Sequence, residues 1–174
     1  MTGDVPNEVI FMSKLQPEDW NQLPVTGNAV VLDDWIDAMG HMNVMWYTHM
    51  FSLGVWNFFQ MLGLTREYFV TNQRGSFALE QHFRYLAEIR VGEKVTLRTR
   101  ALSRSEKKLH FMGFLIKEEQ GVLAATSEGV TAHIDMTCRR TTPFPPEITE
   151  AYDALLNQHH QLKWPAPVNG FTHA

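Results

Sequence analysis

Apolar residues crowd one stretch of this chain and alternate with polar ones through much of the rest. Between Met42 and Leu62 stand Trp46, Tyr47, Met50, Phe51, Leu53, Val55, Trp56, Phe58, Phe59 and Met61. The polar residues among them are weak ones (Asn43, Thr48, His49, Ser52, Asn57, Gln60), with no carboxylate, Lys or Arg. A helix that is apolar all round is buried all round, so the pattern predicts one long enclosed helix, ending at Gly63 as a C-cap. The stretch is long enough to cross a bilayer. Its scattered His, Asn and Gln, and the strand-rich remainder, argue instead for a helix wrapped by a sheet and for no membrane.

From Ser76 the period changes to two. Phe77, Leu79, Gln81, Phe83 and Tyr85 fall on one face and Ala78, Glu80, His82, Arg84 and Leu86 on the other, which is a half-buried strand. Further strands are expected over 95–102, 109–117 and 122–136, separated by turns at 91–94, 103–108 and 118–121. A short buried strand is expected within 28–33, ahead of the helix. Residues 1–27 read as an irregular lead-in, 64–75 as a connector, 147–162 as an amphipathic helix and the tail to Ala174 as loose. Together these predict an α+β fold in a single domain, 1–174, with its core over about 28–140.

Composition narrows the class. The chain has 174 residues, 44% of them hydrophobic, enough for one sizeable core. A formal net charge of −4 argues against a nucleic-acid binder. A single cysteine, Cys138, excludes an internal disulfide and a multi-Cys metal cluster. Met1 to Leu15 carries acids and no apolar signal core, so a cytoplasmic protein is expected. Charge is uneven. Asp4, Glu8, Glu18, Asp19, Asp33, Asp34 and Asp37 face Lys14 alone, whereas Arg84, Arg90, Lys94, Arg98, Arg100, Arg104, Lys107 and Lys108 outnumber Glu88, Glu93 and Glu106. Solvated strand faces account for the basic half; a basic rim for a phosphorylated ligand is the sharper alternative.

The candidate chemistry lies just ahead of the helix, in Asp37-Ala38-Met39-Gly40-His41-Met42-Asn43 followed by Tyr47. This resembles the signature of acyl-CoA thioesterases of the 4-hydroxybenzoyl-CoA thioesterase type: Asp, two residues, Gly-His, an apolar residue, Asn, and Tyr four further on. Phe83 to Glu93 resembles that family's second strand and turn. One departure is Val44, where many members carry a second Asn. The resemblance covers about 30–146. It implies a hot-dog fold, a five-stranded antiparallel sheet around one long buried helix, here with an added C-terminal helix. It also implies an acyl-CoA substrate, with coenzyme A as part of the substrate and no separate cofactor. A homodimer or homotetramer is implied too, its active site between subunits.

Physical chemistry supports that reading. Thioester hydrolysis needs a base or nucleophile and a site for the developing oxyanion. A helix N-terminus offers unpaired N–H groups and the positive end of its dipole, so amides around Gly40 to Asn43 are candidate donors, and Gly40 permits close approach. Asp37 stands outside the helix start, to activate water or to attack the carbonyl and form a mixed anhydride. The ordinary reading of Asp37 is a turn former or N-cap; the resemblance favours catalysis. In a second hot-dog branch the carboxylate lies on the central helix, and here that helix has none. Glu80 is a weaker candidate, a strand residue by default. His41 orients Asp37 or the substrate, or only bonds backbone, and Asn43 caps the helix or positions water. Trp35, Met42, Trp46 and Tyr47 are candidate acyl contacts, and Arg139 and Arg140 candidate coenzyme A phosphate contacts, with Arg98, Arg100, Arg104, Lys107 and Lys108 unranked beside them.

Other chemistries fare worse. His41, His49, His82, His110 and His133 lack metal-ligand spacing, and no metal is expected. There is no Gly-x-Ser-x-Gly elbow and no Walker or dinucleotide loop. The rivals are a hot-dog enoyl-CoA hydratase or dehydratase, and a binding module for an acyl group without turnover. The ending His133 to Arg140, with Phe144-Pro145-Pro146, resembles thioesterase units found with carnitine dehydrogenases, whose substrate is betainyl-CoA. Rings near the turn, Trp35 above all, are suited to a trimethylammonium group.

Overall fold

The computed structural model describes residues 15–170. The start of the expected lead-in, with Asp4 and Glu8, and the last four residues of the tail lie outside the described residues. The elements run α1 (Pro17–Trp20), β1 (Val25–Val30), a 3-10 turn (Asp33–Trp35), α2 (Val44–Met61), α3 (Arg66–Thr71), β2 (Arg74–Tyr85), β3 (Lys94–Arg104), β4 (Lys108–Lys117), β5 (Val122–Asp135), β6 (Arg140–Thr141) and α4 (Pro146–His160). The sheet is antiparallel in the order β1-β3-β4-β5-β2, with two-residue β6 added on β5. No described helix is long and apolar enough to cross a membrane.

α2 lies against the sheet, and both its ends are fixed locally. The Asn43 side chain accepts from Met45 N–H at 2.9 Å, an N-cap. At the other end Gly63 adopts φ +87°, with Gly63 N–H bonded to Gln60 O and Leu64 N–H to Phe59 O. That pair of bonds is a Schellman closure, which needs a residue able to take a left-handed conformation. Where the helix crosses β3, its backbone comes so close that a Cβ on Gly54 would stand 2.1 Å from Leu97 Cδ2.

The helix is not buried all round. Tyr47, Met50, Phe51, Gly54, Phe58 and Phe59 face the sheet, while Val44, Met45, Leu53, Trp56 and Met61 are exposed on the far side. The curled sheet covers one side of the helix, and among the described residues the other side is met only in part, where Trp56 stacks on Phe69 of α3. The strand expected within 28–33 is an edge strand over 25–30 with Val25 and Val30 exposed, not a buried one. The alternation along β2 breaks at a bulge. Register with β5 shifts between Ala78 and Glu80, leaving Leu79 without a partner. Ser76 and Ala78 therefore face α2 before the bulge, and Phe83 and Tyr85 after it.

The outer face of the sheet is covered by α1, α4 and the segment after α4, and that segment is not loose. Trp164 is buried with Phe114 and Met112, and Arg100 stacks on it at 4.3 Å while donating to Trp164 O at 2.9 Å. Asn169 N–H bonds Glu128 Oε2 at 2.7 Å. The basic strand residues are engaged in this packing. Arg100 also donates to His159 O, Arg104 pairs with Asp153, and Arg98 donates to Leu23 O.

α4 starts with Pro146 in its first turn, where a missing N–H costs nothing, and docks through Ile148, Tyr152 and His159. The buried His159 Nδ1 accepts Ala101 N–H at 2.9 Å. Burial, with the Arg100 charge beside it, pulls this imidazole from 6.5 to about 4. Below pH 6.5 the unfolded chain binds a proton that the folded chain refuses, so stability falls as pH drops from 6.5 to about 4. At about 1.4 kcal/mol per unit the loss is on the order of 3 kcal/mol. Thermal melts over that window are expected to show a steeper fall for the wild type than for His159→Gln. Parallel curves would count against a buried neutral His159.

Candidate active site

Asp37 opens a tight loop whose backbone is closed on itself. Its N–H bonds His41 O at 3.0 Å, and Gly40 N–H bonds Asp37 O at 3.0 Å. Gly40 takes φ +82°, which an L side chain adopts only with strain. Asp37 Oδ1 accepts Met39 N–H at 2.8 Å, and Oδ2 lies 3.7 Å from His41 Nδ1. The loop is then tied at two points. Met42 N–H bonds Ile89 O at 2.7 Å, and Asn43 N–H bonds Trp35 O at 2.9 Å.

Those bonds decide which amides are available. The N–H groups of Gly40, Met42 and Asn43 are all committed to protein carbonyls, so the expected row of donors from Gly40 to Asn43 is mostly occupied. Val44, at the first helical position, has no acceptor for its N–H within the helix, and it lines the same cleft as Asp37.

The cleft has a volume of about 380 Å³ and brings together Asp37, His41, Met42, Asn43, Val44 and Tyr47 with the end of β2 and the segment after it: Tyr85, Leu86, Ala87 and Glu88. Tyr47 and Tyr85 meet edge to face at 5.2 Å. Burial pushes the Tyr47 phenol up to about 12, so it remains a hydrogen-bond donor at any working pH. Its OH lies 3.4 Å from Ala87 O. Tyr85 and Glu88 were not singled out from the sequence as site residues. The signal for them was the second motif, which spans both.

Other candidates stand elsewhere. Trp35 is buried and stacks on Trp46 at 4.4 Å with an 11° interplanar angle, and Trp46 meets His49 edge to face at 5.4 Å. Neither tryptophan lines the Asp37 cleft. Arg139 and Arg140 follow β5 beside the Arg74 end of β2, and the Arg139 guanidinium sits 5.3 Å over the Phe77 ring. The cleft is at the Tyr85 end, about 36 Å away along the strand at about 3.3 Å per residue. Within one chain the arginines and Asp37 do not meet.

Among the described residues no group of three His, Cys, Asp or Glu side chains could hold a metal ion. Ser103, His110 and Glu128 do form a hydrogen-bonded series, at 3.1 Å and 2.8 Å. It is sealed on the other face of the sheet, where Tyr152 OH donates to the backbone carbonyls of Ser103 and His110.

Comparison with known proteins gives four findings. The profile of the thioesterase-like superfamily matches residues 31–152. A betainyl-CoA thioesterase from Pseudomonas aeruginosa is 29% identical over 148 residues, which cover 85% of this chain and 93% of that protein. An L-carnitine dehydrogenase/betainyl-CoA thioesterase from Agrobacterium fabrum is 30% identical over 127 residues, 73% of this chain but only 26% of that longer protein. Among solved structures, a hypothetical protein from Staphylococcus aureus in complex with CoA superimposes with a TM-score of 0.78 at 27% identity, over 87% of this chain and 96% of that one.

Proposed function

The chain belongs to the thioesterase-like superfamily, and from that premise we propose that it hydrolyses acyl-CoA thioesters, with a short acyl group ending in trimethylammonium as the preferred cargo. The observation that carries the reading is the Asp37 carboxylate lining one cleft with the N-terminus of α2. Asp37 takes a proton from water, or attacks directly to give a mixed anhydride that water then opens. In the first route hydroxide adds to the thioester carbon and the oxyanion develops against Val44 N–H and the dipole end of α2. Collapse breaks the C–S bond, and the coenzyme A thiolate leaves and takes up a proton. His41 and Tyr47 orient the carboxylate and the acyl group. The betainyl preference is supported by the names of the two bacterial relatives.

A dimer or larger assembly belongs to the same proposal. β2 is a sheet edge that presents unpaired backbone groups, and beside it stand the exposed Val44 and Trp56 of α2. A partner on this side would also bring its own Arg139 and Arg140 toward the Asp37 cleft, which one chain cannot do.

Asp37→Asn keeps the acceptor for Met39 N–H but removes the base. Turnover is expected to fall about 100-fold or more with little change in Tm; near-normal kcat would sink the assignment. Betainyl-CoA should exceed 3,3-dimethylbutyryl-CoA, its uncharged isostere, by about tenfold in kcat/KM, and equal rates would leave a thioesterase without that preference. Light scattering at micromolar concentration should give at least twice the 20.0 kDa of one chain. A monomer mass would contradict the assembly.

A further inference from the structure

One wall of the Asp37 cleft runs through residues 86–93, which lie between β2 and β3 outside any strand. Irregular backbone is a poor support for a reacting group, yet Ile89 O takes the 2.7 Å bond from Met42 N–H that ties down the Asp37 loop. A single ion pair holds this stretch in place. Lys117, at the end of β4, donates through Nζ to Glu88 O at 3.1 Å and pairs with Glu93 Oε1 at 2.8 Å. Glu93 Oε2 accepts Arg90 N–H at 2.8 Å, and Glu93 N–H bonds Arg90 O at 3.2 Å. The Glu93 backbone is anchored in turn, its carbonyl accepting Val31 N–H at 3.0 Å.

Ile89 C=O and Arg90 N–H belong to one peptide unit. It is planar and trans, so the two groups point in opposite directions. A carboxylate on the N–H therefore aims the carbonyl at Met42 and polarises it into a better acceptor. The preceding peptide is held through Glu88 O. Lys117 and Glu93 thus grip both peptides that flank Ile89. Their side chains are only 15% and 17% exposed, so salt and water screen them less than a surface pair. Lys94 and Glu119, 4.0 Å apart and mostly exposed, are the ordinary surface case. Burial raises the Glu93 carboxyl, and the bonds from Lys117 and Arg90 outweigh it, which leaves it below the usual carboxylate range.

We infer that Lys117 and Glu93 are positioning residues for the Asp37 carboxylate, acting through Ile89 O and Met42 N–H; their part in catalysis rests on the thioesterase reading. Neither lines the cleft. The path to the carboxylate is short. Met42 follows His41, whose carbonyl accepts Asp37 N–H at 3.0 Å. A shift of Ile89 O moves that carbonyl and turns Asp37. Misplacing a reacting group by about 1 Å costs on the order of 100-fold. The loop keeps a second tie, Asn43 N–H to Trp35 O, so losing the ion pair is expected to cost less.

Lys117→Met removes both of its contacts. For an acyl-CoA, kcat is expected to fall about tenfold with KM within about twofold. Amide exchange at Met42, read by NMR, is expected to quicken about tenfold. Lys94→Met, at the exposed pair, is expected to alter neither readout, and an equal loss there would overturn the assignment. Lys117→Met with Glu93→Met replaces the pair by apolar side chains, which removes the stranded charge and is expected to restore Tm while kcat stays low. Recovery of kcat along with Tm would reduce the pair to a stabilising contact and overturn the positioning role. In the Asp37→Asn background Lys117→Met is expected to cost less than about twofold, because its effect passes through that carboxylate; the full loss there would overturn the role as well. Unchanged kcat or unchanged Met42 exchange in Lys117→Met would overturn the inference and leave the thioesterase reading standing. A wild type that hydrolyses no acyl-CoA, while Lys117→Met still quickens Met42 exchange, would overturn the reading and keep the brace.

Discussion

The close crossing of α2 over β3 and β4 is the constraint on which the rest depends. Gly54 admits Leu97 where a Cβ would overlap it, and Gly113 on β4 admits the Phe51 ring, whose Cδ1 would lie 2.9 Å from an added Cβ. Two missing side chains on facing elements set how deep the helix lies. That depth brings the helix N-terminus level with the segment after β2, where Met42 N–H reaches Ile89 O. A helix held further out by overpacking, which costs about 1–3 kcal/mol, would lengthen that bond and part the two walls of the cleft.

Much of this was legible in the residues. The apolar run 42–62 gave a helix over 44–61, Gly63 closed it, and the period-two stretches became the long strands within a few residues. The Asp37 turn and Tyr47 came together in one cleft. What was missed has physical causes. The bulge at Leu79 leaves the hydrophobic alternation readable but moves its face, because a single extra residue inverts a period of two. α3 was read as connector since six residues carry too little pattern, although its cap, Thr65 accepting from Tyr68 N–H, is a sequence signal. The packed tail depends on Arg100 reaching Trp164 across 64 positions, which no local pattern reports.

The half-covered helix is a different kind of error. Hydrophobicity records that a surface is kept from water and says nothing about which surface does so. Trp56, 37% exposed, and Leu53, 46% exposed, satisfy the helical pattern as well as the fully buried Phe58 does. Reading burial from the apolar pattern of 42–62 assigned all three to one chain's core. These side chains stay open among the described residues, and the assembly proposed above would give them the cover that their pattern expects.

The two sequence motifs and the one cleft are joined by a single short bond. Asp37 sits in a loop whose N–H groups at Asp37, Met39, Gly40 and Met42 are committed, so the loop fixes the carboxylate and leaves few donors for an oxyanion. The helix start supplies Val44 N–H and a dipole, but no acid or base. The segment after β2 supplies Leu86, Ala87 and Glu88 as a wall. None of the three is a site alone. Met42 N–H to Ile89 O, at 2.7 Å, ties loop, helix start and wall at one point, because Met42 is the last loop residue before the cap and Ile89 follows the wall directly. A residue that is fully buried at both ends of that bond, Met42 at 2% and Ile89 at 0% exposure, keeps water from competing for it. The precision of the carboxylate therefore comes from the core beneath it, and the second motif matters less for what its side chains do than for the carbonyl it holds out to the first.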